Sequence, residues 1–221
     1  EWAMIGIFFN QGEVCCAGSR IIIEESIHDA FVKRFAERAN AMTIGNPLDN
    51  PDMGPLVSEG QLRDVLGYVQ KGIEEGATLV CGGERYTEGE CAKGYFMRPT
   101  IFDNCTPDMT IVREEIFGPV VTIQTFKTEE EAIALANDTI YGLAGGVFTH
   151  QLERALRVVK EVRAGITWVN AFNPTYNEAP WGGYKMSGIG RELGVHGLEE
   201  YQEIKQVNIN LTPGPAGWYE H

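Results

Sequence analysis

Apolar residues recur at helical spacing over positions 26–42 (Ile27, Phe31, Phe35, Ala39), which predicts an amphipathic helix with Ser26 as its cap. A turn-rich stretch covers 46–55. Ser58-Glu59-Gly60-Gln61 then reads as a capping box that opens a second helix. Thr78-Leu79-Val80-Cys81 has the length and character of a buried strand, stopped by Gly82 and Gly83. Positions 96–102 and 119–126 predict further strands, the latter with Val120, Val121, Ile123 and Phe126 apolar. Thr128-Glu129-Glu130-Glu131 opens another helix by the same capping chemistry. Strands at 145–148 and 165–169 flank a helix over 150–162. Near the end, Val207, Ile209 and Leu211 alternate with Gln206, Asn208 and Asn210, predicting a strand polar on one face, suited to an edge or to pairing between subunits.

Strands alternating with helices of this length imply an α/β fold, a largely parallel sheet flanked by helices. A chain of 221 residues is one large domain or a domain with a small appendage. That length buries roughly 70% of the surface its unfolded form exposes. No internal repeat or low-complexity linker is apparent.

The formal net charge of −13 argues against nucleic acid or an anionic membrane as partner. The longest apolar stretch, 3–9, is far too short to span a bilayer, and it lacks the pattern of a signal peptide. The five cysteines (Cys15, Cys16, Cys81, Cys91, Cys105) include no CxxC pair, so neither a disulfide framework nor a metal site is expected. A reducing, cytoplasmic compartment follows as the expectation.

Candidate chemistry starts with Cys15, in the run Phe8-Phe9-Asn10-Gln11-Gly12-Glu13-Val14-Cys15-Cys16-Ala17-Gly18-Ser19-Arg20. The thiolate is the reactive form of cysteine, and a turn at a helix start would offer backbone N–H groups that stabilise negative charge. From the pair alone two readings stay open: a nucleophile, or two small buried hydrophobes. His28, His150, His196 and His221 are not placed to be argued as a base for Cys15.

The run 8–20 resembles the active-site cysteine signature of the aldehyde dehydrogenase superfamily, in which the nucleophile lies three residues after the glycine. The resemblance therefore selects Cys15 over Cys16. Glu13 stands where many members carry Gln. Downstream, Glu114-Glu115-Ile116-Phe117-Gly118-Pro119 is similar to the family's cofactor segment. That likeness implies Glu115 on the nicotinamide ribose hydroxyls and Phe117 beside the nicotinamide ring. Taken alone, the Glu-Glu pair reads as a solvated helix start and Phe117 as core. Pro180-Trp181-Gly182-Gly183-Tyr184-Lys185-Met186-Ser187-Gly188 resembles the glycine-rich C-terminal segment.

The resemblance covers essentially the whole chain and corresponds to the C-terminal part of a longer enzyme. It implies a catalytic domain over 1–202, truncated at its start, and an oligomerisation strand and tail over 203–221. The N-terminal Rossmann-type nucleotide domain is expected to be missing. So are the general-base glutamate of a Glu-Leu-Gly-Gly-Lys-like motif and the side-chain amide of the oxyanion hole. The isolated chain is thus expected to be inactive. In the parent, the resemblance implies NAD as cofactor, with NADP open, a small-molecule aldehyde substrate, and a homodimer or homotetramer. Phe9 and Trp181 fall where the family lines its substrate tunnel. The stretch from Asn173 to Trp181 is similar to bacterial members that oxidise betaine aldehyde and box a trimethylammonium group with aromatic faces. Glu178 reads first as a solvated loop residue rather than a charge beside the substrate; a Trp181 that packs the loop against the core is equally open, and another aliphatic or aromatic aldehyde is the alternative substrate. A nucleotide-independent thiol esterase would need a base within reach of Cys15. A fragment that only folds and oligomerises is the non-enzymatic reading.

Overall fold

The computed structural model describes residues 1–218. The chain opens with α1 (Trp2–Phe8), followed by β1 (Arg20–Glu24), α2 (His28–Asn40), α3 (Glu59–Glu74) and β2 (Thr78–Cys81). Next come β3 (Thr100–Asp103), the short α4 (Thr110–Arg113), β4 (Val120–Phe126) and α5 (Glu129–Asn137). It ends with β5 (Ala144–Val147), α6 (Leu152–Glu161), β6 (Ile166–Val169) and α7 (Gly194–Glu199).

Four strands make one sheet in the order β1-β4-β3-β2. β1 and β3 lie parallel to β4, and only β2 runs antiparallel. Strand periodicity divides the core. Ile101, Val121 and Ile123 pack with Phe8, Val32 and Phe35 from α1 and α2. Phe102 and Val120 pack on the other face with Leu62, Val65 and Val69 from α3. Both faces are covered, as parallel sheets require. β5 and β6 form a separate parallel pair rather than extending this sheet.

Several expectations shift at the boundaries. The strand expected over 96–102 begins only at Thr100. Pro99 has no N–H to give a ladder, and 96–98 pair instead with 84–86 (Tyr86 N to Phe96 O, 2.9 Å; Arg98 N to Glu84 O, 3.0 Å). Ser26 does not cap α2: it lies in a 3₁₀ turn and its hydroxyl donates to Glu24 Oε1 at 3.0 Å. Neither α1 nor β1 is among the predicted elements. The strand expected within 203–221 is not formed in the chain. Positions 203–211 have no ladder partner, and Ile204, Val207, Ile209 and Leu211 are all exposed. A strand exists only against another strand, and among the described residues none pairs with this segment. Its last three positions, His221 included, lie outside the described residues. Among the described residues no helix is long and apolar enough to cross a membrane.

Candidate active site

The turn that carries Cys15 is made by three successive left-handed residues, Asn10 (φ 49°), Gln11 (φ 48°) and Gly12 (φ 75°), which reverse the chain after α1. Side chains hold this costly run in place. Asn10 Nδ2 donates to Glu13 O (3.0 Å), and Gln11 Nε2 to Glu13 Oε2 (2.9 Å). The Glu13 carboxylate also accepts from Val57 N at 3.1 and 3.2 Å. Gly12 meets its requirement twice: its φ suits glycine, and a Cβ there would overlap the carbonyl of Gly118. Gly118 is equally confined, since its own Cβ would lie 2.6 Å from Val65 Cγ2. The two motifs, about a hundred residues apart, thus meet backbone to backbone.

Cys15 and Cys16 occupy the centre of a turn closed by Ala17 N donating to Val14 O (2.9 Å). No helix follows, contrary to the helix-start expectation. Gly18 N donates to Gly6 O (2.7 Å) and Thr122 N to Ser19 O (2.9 Å), so the chain is drawn directly into β1. The backbone N–H groups around Cys15 are therefore those of a turn, not of a helix start. The two thiols differ sharply. Cys15 is exposed, whereas Cys16 is 6% exposed and donates to Asn173 Oδ1 at 3.3 Å. Burial, with the neighbouring Cys15, pushes the Cys16 thiol up to about 11, so it stays protonated at neutral pH.

Cys15, Glu115 and Phe117 line one cavity of about 360 Å³. Glu114 and Glu115 are separated in role: Tyr68 Oη donates to Glu114 Oε2 at 2.9 Å, while Glu115 is exposed and has no ion pair among the described residues. Phe117 is 40% exposed and left-handed (φ 54°). A free carboxylate and an uncovered aromatic ring on one wall suit a ribose and a flat heteroaromatic ring.

Phe9 and Trp181 are not part of that wall. Phe9 is 62% exposed on the 3₁₀ turn after α1. Trp181 is held by reciprocal backbone bonds to Glu192 (2.6 and 2.7 Å). Its ring meets Trp168 at 6.3 Å, and Trp168 meets Phe172 at 4.8 Å. Phe172 in turn fills the space over Gly6, Gly18 and Gly146. This aromatic row, with the Cys16–Asn173 bond, joins the 172–181 loop to the cysteine turn without bringing Trp181 to the cavity.

Three contributors escaped sequence reasoning. Arg20, half-buried on the cavity wall, donates to Leu135 O (3.1 Å) and Ala136 O (2.9 Å), and burial lowers its pKa. It is joined at the C-terminus of α5 by Lys185, whose Nζ donates to Asn137 O (3.0 Å) and Thr139 O (3.1 Å). Cations there complement the helix dipole and its free carbonyls. Gln61, read only as half of a capping box, sends its amide to Ile116 O (3.3 Å) and Phe117 O (2.7 Å). The one available signal for Arg20 was a cation at the start of an apolar run beside the cysteine.

Residues 1–207 match the model of the aldehyde dehydrogenase family. The betaine aldehyde dehydrogenase of Bacillus subtilis is 50% identical over 220 residues, 99% of this chain and 45% of that protein. The peroxisomal aminoaldehyde dehydrogenase 2 of Pisum sativum is 47% identical over all 221 residues, 44% of its own length. A crystal structure of betaine aldehyde dehydrogenase from Staphylococcus aureus in complex with NAD+ superposes with a TM-score of 0.97 at 44% identity, over 100% of this chain and 44% of that one. The chain spans less than half the length of the relatives it matches. With the cysteine turn and the 114–118 segment packed on one cavity and a family match running almost end to end, the chain belongs to the aldehyde dehydrogenase family.

Proposed function

We propose that the chain is the catalytic part of an NAD-dependent aldehyde dehydrogenase that oxidises an aldehyde, betaine aldehyde first among candidates, to its carboxylic acid. The observation that carries this reading is the cavity shared by Cys15, Glu115 and Phe117. The Cys15 thiolate adds to the aldehyde carbon, forming a C–S bond and a thiohemiacetal. The Cys15 backbone N–H, which donates to no described backbone group, is read as one donor to the developing oxyanion. Glu115 and Phe117 suit the nicotinamide ribose and ring; NAD, when bound, supplies the hydride acceptor. The acyl group then rests on Cys15 as a thioester until water breaks the C–S bond. Glu13 is not the base for that water, because its carboxylate is engaged by Val57 N and Gln11. Cys16 is not an alternative nucleophile, since its thiol is buried and protonated.

The chain spans 45% of the Bacillus relative and 44% of the Staphylococcus one, and alone it is expected to be inactive. Residues 203–211 are read as an arm that pairs between subunits of a cytoplasmic oligomer. Betaine aldehyde is favoured by the names of the Bacillus and Staphylococcus relatives. The pea relative, named for aminoaldehydes, keeps a second cationic class open. NADH formation from betaine aldehyde, followed with the chain alone and with the nucleotide-binding part added, tests the reading. Activity only in the mixture, abolished by Cys15→Ala and kept by Cys16→Ala, is expected. Activity from the chain alone overturns the assignment of the base and cofactor domain.

A further inference from the structure

We propose that Gln61 is a positioning residue that holds Phe117 in its left-handed conformation and thereby presents Phe117 and Glu115 to the Cys15 cavity. This rests on the reading of 114–118 as the cofactor segment. A bulky aromatic residue at φ 54° persists only where its surroundings enforce it. Successive carbonyls of an extended chain point to opposite sides. Here those of Ile116 and Phe117 both converge on one nitrogen, Gln61 Nε2, at 3.3 and 2.7 Å. The backbone reversal at Phe117 makes that convergence geometrically possible, and the amide in turn stabilises the reversal.

The donor is itself fixed. Ser58 Oγ accepts from Gln61 N (3.1 Å), anchoring the first turn of α3. Val65, one helical turn beyond Gln61, closes off the space at Gly118. The capping-box sequence is thus only half used as a box: its serine caps the helix, and its glutamine faces the site. Phe117 is left partly exposed, and Glu115 has no ion pair among the described residues beside a Glu114 tied to Tyr68.

The test compares Gln61→Ala and Gln61→Glu, which lose the donor, with Gln61→Lys, which keeps one. In the full chain, the rate of chymotrypsin cleavage after Phe117 reports local opening when closing is fast. It is expected to rise about tenfold in the first two variants, equivalent to ~1.4 kcal/mol, with the global Tm little changed, and to return toward wild type in the lysine variant. In the enzyme assembled with its nucleotide-binding part, KM for NAD is expected to rise about tenfold, with KM for the aldehyde unchanged. Unchanged cleavage, no rescue by lysine, or a Tm loss that accounts for the faster cleavage each overturns the proposal, as does faster cleavage with an unaltered KM for NAD. If the wild-type assembly shows no NAD-dependent turnover, the cofactor reading fails, and the cleavage series still decides whether Gln61 holds Phe117.

Discussion

Replacing Gly12 with alanine tests the joint between the two motifs. The added Cβ would overlap the carbonyl carbon and oxygen of Gly118 and lie 2.9 Å from Pro119 N, all backbone atoms with no rotamer to yield. The left-handed φ of 75° adds a penalty of about 1–2 kcal/mol for an L-residue. Overpacking a tight contact adds about 1–3 kcal/mol, so the expected loss is roughly 2–5 kcal/mol in urea unfolding. If the chain yields instead of unfolding, the Cys15 turn must move away from 118 by about 1 Å, a displacement that can cost around a hundredfold in rate. Gly67→Ala is the control: it lies in α3 with nothing within 4 Å of the new methyl. It should stabilise by about 0.5–1 kcal/mol. Paired measurements of unfolding and of Cys15 alkylation by iodoacetamide separate the outcomes. A Gly12→Ala chain with wild-type stability and alkylation rate would refute the claim that backbone contact at Gly118 sets the turn.

His28 bridges Asp29 and the buried Asp103, both at 2.8 Å, and the hydrogen bond it donates to Asp103, then that to Asp29, raises its pKa. Its stabilising effect is fully present below the ordinary histidine value near ~6.5 and is lost as pH rises through the folded-state value. Wild type should therefore exceed His28→Gln in stability at pH 6 and lose that lead by pH ~9; a lead independent of pH contradicts the charged bridge. Gln124 Oε1 is buried without a partner among the described residues. Gln124→Met should leave stability equal or raise it by about 1 kcal/mol, and a loss in urea titration would reveal a partner. Arg20→Met strips two carbonyls of a charged donor and should cost about 1.5–3 kcal/mol, with Arg20→Lys recovering part of it in thermal unfolding.

Local chemistry was legible where it acts locally. Ser58 and Thr128 accept from the N–H three residues on, at 3.1 and 3.2 Å, as their spacing implied. The apolar run at 120–123 is a strand buried on both faces. What sequence could not supply was tertiary. Ile21, Ile22 and Ile23 form too short a run to declare a strand, and β1 gains its identity from β4, about a hundred residues later. The same pairing turns the chain after Cys15 into sheet rather than helix. Glu115 and Phe117 line the same cavity as Cys15, whereas Trp181 packs toward Trp168 and Phe9 lies exposed on the turn after α1, placements that only the packed chain reveals. Gln61 showed only its capping signature, because its second use depends on a backbone reversal far along the chain.

β1 has a single neighbour in its sheet, and that neighbour is β4. The cysteine turn is therefore closed by strands made from distant parts of the chain, a long-range pairing of the kind that forms slowly. During synthesis this turn emerges before positions 118–122 and waits for them before it can take shape. Until then Cys16 lacks the burial that sets it apart from the exposed Cys15, and its partner Asn173 has yet to be made. Selective reactivity at one of two adjacent thiols is thus a product of completed folding, and partially folded chains carry both exposed to oxidation. Differential labelling of the pair would report, residue by residue, when a newly made chain has finished building its centre.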